Sequence, residues 1–344
     1  MKYISVVILN WNGEALLKRF LPSVIAHTPM QFAEIIVADN GSTDHSVEML
    51  ESEFPAVQLI RFDRNYGFAE GYNQAISRVK TPYTVLLNND VEVTANWIDA
   101  PIRAMEADQA LAAVQPKILS YTRKKKFEYA GAAGGWLDCY GYPFCRGRVL
   151  HIVEDDHGQY DHPASIFWAS GACFFVRTEV FNKEGGFDVR FFAHQEEIDL
   201  CWRLRARGYR LVCIPQSVVY HVGGATLTTE SPQKTFLNFR NNLLMVYKNI
   251  SAGKLHSVLH LRYWLDHIAL IKFFLTGHPA NAKAVLQARK DFKQLMKEYE
   301  PVREENLSKT VVSSIPEMYQ KSLVLNFYLR GRKKFSKMIK TTDF

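Results

Sequence analysis

The chain of 344 residues is 47% hydrophobic and 22% charged, the make-up of a folded globular protein with one large domain or a domain plus an appendage. Its formal charge of +7 does not point to nucleic acid: Arg330, Arg332, Lys333, Lys334, Lys337 and Lys340 gather at one terminus, no recognition module is legible, and a basic tail suits anionic lipid at least as well. No window holds the roughly 18 uncharged apolar residues of a membrane span, and the N-terminus opens on a strand-like run without a leader pattern, so the expected location is cytoplasmic.

Short apolar runs alternate with helical patterns from the start, which predicts an α/β fold with a mainly parallel sheet and helices on both faces. A strand is expected over 3–9, followed by a helix on which Leu16, Leu17, Phe20, Leu21, Val24 and Ile25 recur at helical spacing, and then by a second strand over 34–38. The pattern repeats with a helix near 44–53, a strand over 57–62, a helix over 69–79 and a strand over 83–87. Residues 121–163 break the rhythm with Gly131, Gly134, Gly135, Gly141 and Gly147, which predicts a hairpin-rich insertion. Order returns with a strand over 166–177, a short run over 187–192, a helix near 196–207, and strands near 210–214 and 218–221.

Beyond about 232 the pattern reads as helical throughout. The run from Leu259 to Leu275 is unusually apolar but is broken by Arg262, Asp266, His267 and Lys272, so it suits an interfacial helix or a packed bundle helix and not a span. The expected division is therefore 1–231 as a catalytic-type α/β domain with the variable 121–163 insertion, and 232–344 as a helical C-terminal region with a basic tail. The five cysteines are odd in number and form no Cys-x-x-Cys pair, so neither a disulfide framework nor a zinc site is indicated.

In open α/β sheets ligands bind beyond the carboxyl ends of the strands, and here those ends carry Asn10, Asn12, Asp39, Asn40, Asn88, Asn89 and Asp90. Asp39 to Asp44 combines a carboxylate, a turn glycine and an N-cap series, which presents oxygens and N–H groups to a polar ligand; a plain strand-to-helix turn explains it equally well. Asp90, with phosphate oxygens and water, has the chemistry to hold Mg²⁺ or Mn²⁺, or else it caps the chain. Glu196, Glu197 and Asp199 open a helix. A carboxylate there suits a general base, while complementing the helix dipole is the alternative, and Asp199 four residues before Arg203 reads as an ion pair. His221 closes a β-like run ahead of Gly223 and Gly224; an imidazole there is a candidate Mn²⁺ ligand or a structural histidine.

Taken together and in order, these segments resemble the family 2 glycosyltransferases, in particular the rhamnosyltransferase-like branch that builds bacterial surface polysaccharides. The matching segments are Val6 to Gly13, Asp39 to Asp44, Arg64 to Asn73, Leu86 to Val91, Gly171 to Arg177, Gly186 to Asp188, Glu196 to Arg203 and His221 to Thr226. The resemblance covers about residues 3–250 and implies the GT-A fold. It implies that Asn10 and Asp39 lie near a nucleotide base and ribose, with Asn65, Gly67 and Asn73 shaping the same pocket. Asp90 then corresponds to the metal-binding acid, His221 to a second ligand to metal or diphosphate, and Glu197 to the base, with Glu196 as the alternative. Arg240-Asn241-Asn242 resembles a downstream segment that closes over the donor. Two departures stand out: Asn88 occupies the position of the usual leading aspartate, and Glu197 replaces the usual aspartate of the base pair.

The implied reaction is a single inverting displacement on a nucleoside-diphosphate sugar, with a divalent metal and a glycan or lipid-linked acceptor. Competing readings are a sugar nucleotidyltransferase, which would need a Gly-rich basic loop after the first strand, and a catalytically silent glycan- or lipid-binding subunit. The tail is expected to attach peripherally to the cytoplasmic membrane face; packing on the domain or making a homodimer is the alternative.

Overall fold

A computed structural model describes residues 2–223 and 231–339; Gly224, Ala225 and Thr226 of the last matching segment, and Lys340 of the tail, lie outside the described residues. The first apolar runs form parallel strands β1 (Ile4–Asn10), β2 (Ala33–Asp39), β3 (Gln58–Arg61) and β4 (Tyr83–Asn88). Alternation along β1 sends Val7 into one core and Val6 and Ile8 into the other. Both faces are therefore covered, which is why these strands read as continuous apolar runs instead of alternating ones. Helices α1 (Glu14–His27), α2 (Ser46–Glu53) and α3 (Gly67–Ile76) make the crossovers.

After the short strand β5 (Val91–Val93) and helix α4 (Asp99–Ala107), the chain enters β6 (Leu111–Ser120). Residues 91–120 carried no expected element, and β6 shows why. Pro116 and Lys117 sit in mid-strand, where they argue against a strand in sequence. The partner strand shifts register opposite them, between Ile214 and Val218, and the buried Lys117 ammonium pairs with Asp156 at 2.8 Å and with Asp161.

The insertion forms its own small sheet of β7 (Gly135–Asp138), β8 (Pro143–Cys145), β9 (Arg148–Val149) and β10 (Ile152–Val153). Then come β11 (Ala164–Ser165), β12 (Cys173–Arg177), helix α5 (Thr178–Lys183), helix α6 (Glu196–Ala206) and β13 (Arg210–His221). The segment expected as one strand over 166–177 keeps only its end as β12, the run over 187–192 is a 3₁₀ turn at Val189–Phe191, and the two late strands are one bulged strand. The main sheet has the order β11-β13-β6-β12-β4-β1-β2-β3, with β5 on β13. Because β12 is antiparallel to both β4 and β6, the strands β3, β2, β1, β4, β6 and β13 all run one way.

The C-terminal region contains α7 (Pro232–Asn249), α8 (Ala252–Leu275), α9 (Pro279–Glu298), α10 (Glu300–Ser308), a strand β14 (Met318–Tyr319), α11 (Leu323–Arg330) and α12 (Phe335–Met338). It is not helical throughout: β14 adds to the insertion sheet, in parallel with β7. Two residues are too few to show a strand period, so β14 was invisible in sequence. The tail is tied down by Phe335, whose ring meets Trp136, Phe144 and Tyr160 at centroid distances of 5.5 to 5.9 Å.

Candidate active site

The strand ends β1, β2 and β4 bring a polar network together. Asn10, fully buried, donates through Nδ2 to Asp39 Oδ1 at 3.2 Å and accepts from Asn89 Nδ2 at 3.0 Å. A Cβ on Gly13 would fall 2.3 Å from Asn10 Oδ1 and 2.4 Å from Asn89 Nδ2, so only glycine leaves room for that bond. Asp39 Oδ2 accepts from Ser42 N at 3.0 Å, and Asn12 Oδ1 accepts from Thr43 N at 2.7 Å, which shapes the turn into α2. Asn40 Nδ2 donates to Asn65 Oδ1 at 3.1 Å and to the Gly67 carbonyl at 3.0 Å. Asn73 is different: its amide bonds both the carbonyl of Phe187, at 2.8 Å, and its N–H, at 2.9 Å, so both ends of the side chain serve the backbone.

Asp90 follows β4, and β5 pairs with the end of β13, which brings His221 beside it. His221 Nε2 lies 3.0 Å from Asp90 Oδ1 and 3.3 Å from Asn88 Nδ2; on the other side of the ring, Glu128 Oε2 lies 3.5 Å from Nδ1. Burial works against a charged imidazole here, but the Glu128 and Asp90 carboxylates outweigh it and push His221 up to about 10. Burial likewise works to raise Asp90, yet the imidazolium and the N–H of Gly223 hold its carboxyl below its ordinary value.

Asp90 Oδ1 and His221 Nε2 are bonded to each other, and they are of the donor types that suit Mn²⁺; His221 becomes a ligand only once it gives up its Nε2 proton, which a bound cation favours. Glu128 backs the imidazole as carboxylates commonly back metal-bound histidines. Among the described residues no three His, Cys, Asp or Glu side chains are arranged to hold an ion unaided, so an ion here would need oxygens from a ligand.

The start of α6 is held in an unusual backbone. Phe192, His194 and Gln195 all have positive φ, at 62°, 72° and 75°. Each costs roughly 1–2 kcal/mol for a non-glycine residue. Phe192 O accepts from Phe68 N and Ala69 N at the start of α3, and its ring fills the space a Cβ on Gly67 would need. Asn241 on α7 donates to the carbonyls of Phe191, Ala193 and His194 at 2.8 to 2.9 Å. Arg240 Nε bonds Asn241 Oδ1 and so aims its amide, and Asn242 holds Gln195 Oε1 at 3.0 Å. At about 0.5–1.5 kcal/mol per hydrogen bond, this grip is of the right size to offset the strain. Arg240-Asn241-Asn242 thus sits behind the loop that presents α6.

That loop delivers Glu196, buried, and Glu197, partly exposed; each has an Oε2 without a hydrogen-bond partner, as does His194 at Nε2. Burial drives Glu197 up to about 7 in spite of N–H groups at the helix start, and burial together with the Glu197 charge drives Glu196 well above its ordinary value. Burial and the nearby Lys234 ammonium push His194 down to about 4. Lys234 is also influenced by the Glu128 charge, and the buried Cys145 by those of Glu128 and Glu197. Asp199 instead forms a buried structural knot with Arg203, at 3.0 Å, and Lys248, at 2.9 Å.

Glu128, His194 and Lys234 were missed in sequence. Glu128 lies in the insertion, which has no readable period, and Lys234 falls between the recognised segments that end at Thr226 and begin at Arg240. Only position relative to His221 and Glu197 singles them out.

The chain matches the family model described as Glycosyl transferase family 2 over residues 5–184. It is 26% identical over 234 residues to N-acetylglucosaminyl-diphospho-decaprenol L-rhamnosyltransferase of Mycobacterium tuberculosis, a match that covers 63% of this chain and 75% of the relative. Against the O-antigen biosynthesis protein RfbC of Myxococcus xanthus it is 26% identical over 221 residues, covering 63% of this chain but only 17% of that longer protein. Among solved structures, that of GalNAc-T7 with UDP, GalNAc and Mn²⁺ superposes with a TM-score of 0.56 at 20% identity, covering 72% of this chain and 48% of that one. The fold is therefore GT-A.

Proposed function

The chain belongs to glycosyl transferase family 2, and on that premise we propose that it is an inverting, metal-dependent enzyme that moves a sugar from a nucleoside-diphosphate donor to a hydroxyl of a glycan or lipid-linked acceptor in cell-surface polysaccharide synthesis. The observation that carries this reading is Glu197: a half-buried residue presented by a strained loop, whose carboxyl has one buried oxygen without a partner and is raised by burial to about 7. A general base works best with a pKa close to the working pH.

In this mechanism Asn10 and Asp39 lie near the base and ribose, and Asn40 fixes the Asn65–Gly67 segment beside them. Glu197 takes the proton of the acceptor hydroxyl, the oxygen bonds the anomeric carbon from the far side, and the bond to the diphosphate breaks with its electron pair leaving on the diphosphate. Asp90 and His221 would hold the divalent ion, which when bound supplies charge stabilisation to the leaving group. The reading extends to a peripheral position on the cytoplasmic face of the membrane, supported by the diphospho-decaprenol acceptor in the name of the mycobacterial relative.

The test is a transfer assay with UDP-, GDP- and dTDP-sugars, Mn²⁺ or Mg²⁺, and a lipid-diphosphate-linked sugar. Release of nucleoside diphosphate with a product of opposite anomeric configuration is expected; retention of configuration, or no turnover of any donor, would overturn the proposal.

A further inference from the structure

Helix α8 is two helices in one. Its inner face is committed: Val258 and Leu265 are buried, Arg262 bonds the Tyr140 carbonyl at 2.9 Å and also Asn242, and Asp266 is fully buried between Arg262 and Arg289. Its outer face is left exposed by the described residues. Trp264, Ile268, Ile271 and Leu275 follow one another at steps of four, three and four residues and so form one stripe, with Tyr263 and Phe274 beside it. Their exposures are 56% for Trp264, 63% for Ile268, 65% for Phe274 and 77% for Leu275. Monomeric proteins rarely leave so many large apolar side chains contiguous and in water.

The charges around this stripe choose among occupants. From His267 through Lys290 the sequence contains no Asp or Glu; Lys272, Lys283 and Lys290 are exposed there, while Arg289 is committed to Asp266. A large apolar stripe with Trp and Tyr at one end, on a stretch of chain that carries exposed lysines and no acid, matches an anionic bilayer surface. No described helix is long and apolar enough to cross a membrane, so the helix would lie on the surface and not through it. The contact also has a route to the chemistry: Arg262 bonds Asn242, and Asn242 bonds Gln195, the residue before Glu196.

We infer that the outer stripe of α8, Trp264, Ile268, Ile271, Phe274 and Leu275, is the surface on which this protein docks to an anionic membrane, with its apolar side chains in the acyl boundary and the neighbouring lysines on the headgroups. The inference rests on the peripheral membrane reading above and relocates its anchor from the basic tail to α8. It also fixes the orientation: the helix that touches lipid is two hydrogen bonds from the loop that presents Glu197.

The test uses the full chain in flotation with vesicles of phosphatidylglycerol and phosphatidylcholine, or of phosphatidylcholine alone, and light scattering for its mass. Variants are Ile268→Glu with Phe274→Glu, both exposed so that folding is spared, and Lys333→Glu with Lys334→Glu in the tail. The account expects binding to the anionic vesicles, a loss of about tenfold or more in the α8 variant, and quenching of Trp264 by brominated acyl chains that disappears in Trp264→Phe. An α8 variant that floats like the parent, while the tail variant does not, overturns the α8 assignment and leaves peripheral attachment standing. No flotation of the parent overturns both. A parent dimer that the α8 variant converts to monomer assigns the stripe to a second copy instead.

Discussion

The two halves of the candidate site are built in opposite ways. Around Asn10, Asp39 and Asn40 the side chains meet each other and the backbone, and the positions of positive φ are Asn12, Gly41 and Gly67, residues that adopt that conformation cheaply. Around Glu197 the positive φ values fall on Phe192, His194 and Gln195, and His194, Glu196 and Glu197 each keep a buried atom without a partner. A relaxed, internally bonded cradle suits binding without rearrangement. A strained loop with unpartnered groups suits chemistry, because those groups are held ready for a ligand's atoms.

If that division is right, Glu197→Gln separates the two halves. Turnover should fall by about 10²–10⁴-fold, the usual worth of a general base, while nucleotide affinity measured by calorimetry stays as in the parent. Equal losses in both would erase the division. Glu128→Gln comes next: it removes the charge behind His221, and Mn²⁺ affinity in the presence of nucleotide should drop by about 10–100-fold, read by manganese paramagnetic resonance. An unchanged affinity would leave Glu128 a structural residue only.

The pH profile sharpens the same comparison. Glu197 must be ionised to accept a proton, and its folded pKa is raised to about 7, so turnover should climb with pH through that value and level off above it. In the Gln variant the climb should vanish from what activity is left. The smallest effect is expected from Asn241→Ala, which removes three bonds to the strained loop. Chemical denaturation should report a loss of about 1–3 kcal/mol, with turnover reduced more than nucleotide affinity.

The sequence made the first half legible for the same reason that it is relaxed. Asn and Gly at turns, apolar runs at β1, β2 and β4, and polar residues just beyond them all agree with the fold that they adopt. The second half was partly hidden. Glu196 and Glu197 were visible as acids at a helix start, but nothing local predicts that Phe192, His194 and Gln195 take a left-handed backbone, because Asn241, far along the chain, enforces it. Glu128 was hidden by the irregular insertion, and β6 by Pro116 and Lys117, whose costs are met by a bulge in β13 and by Asp156 and Asp161. Asn73, to which the resemblance gives a part in shaping the nucleotide pocket, engages the Phe187 backbone with both ends of its amide.

The most direct test is calorimetric titration of the parent, Asp90→Asn and Glu197→Gln with UDP, dTDP and GDP, with and without Mn²⁺. The account predicts that one nucleotide binds the parent and Glu197→Gln alike with help from Mn²⁺, and that Asp90→Asn loses that help. Binding of no nucleotide to the parent, or an equal loss in both variants, would contradict it.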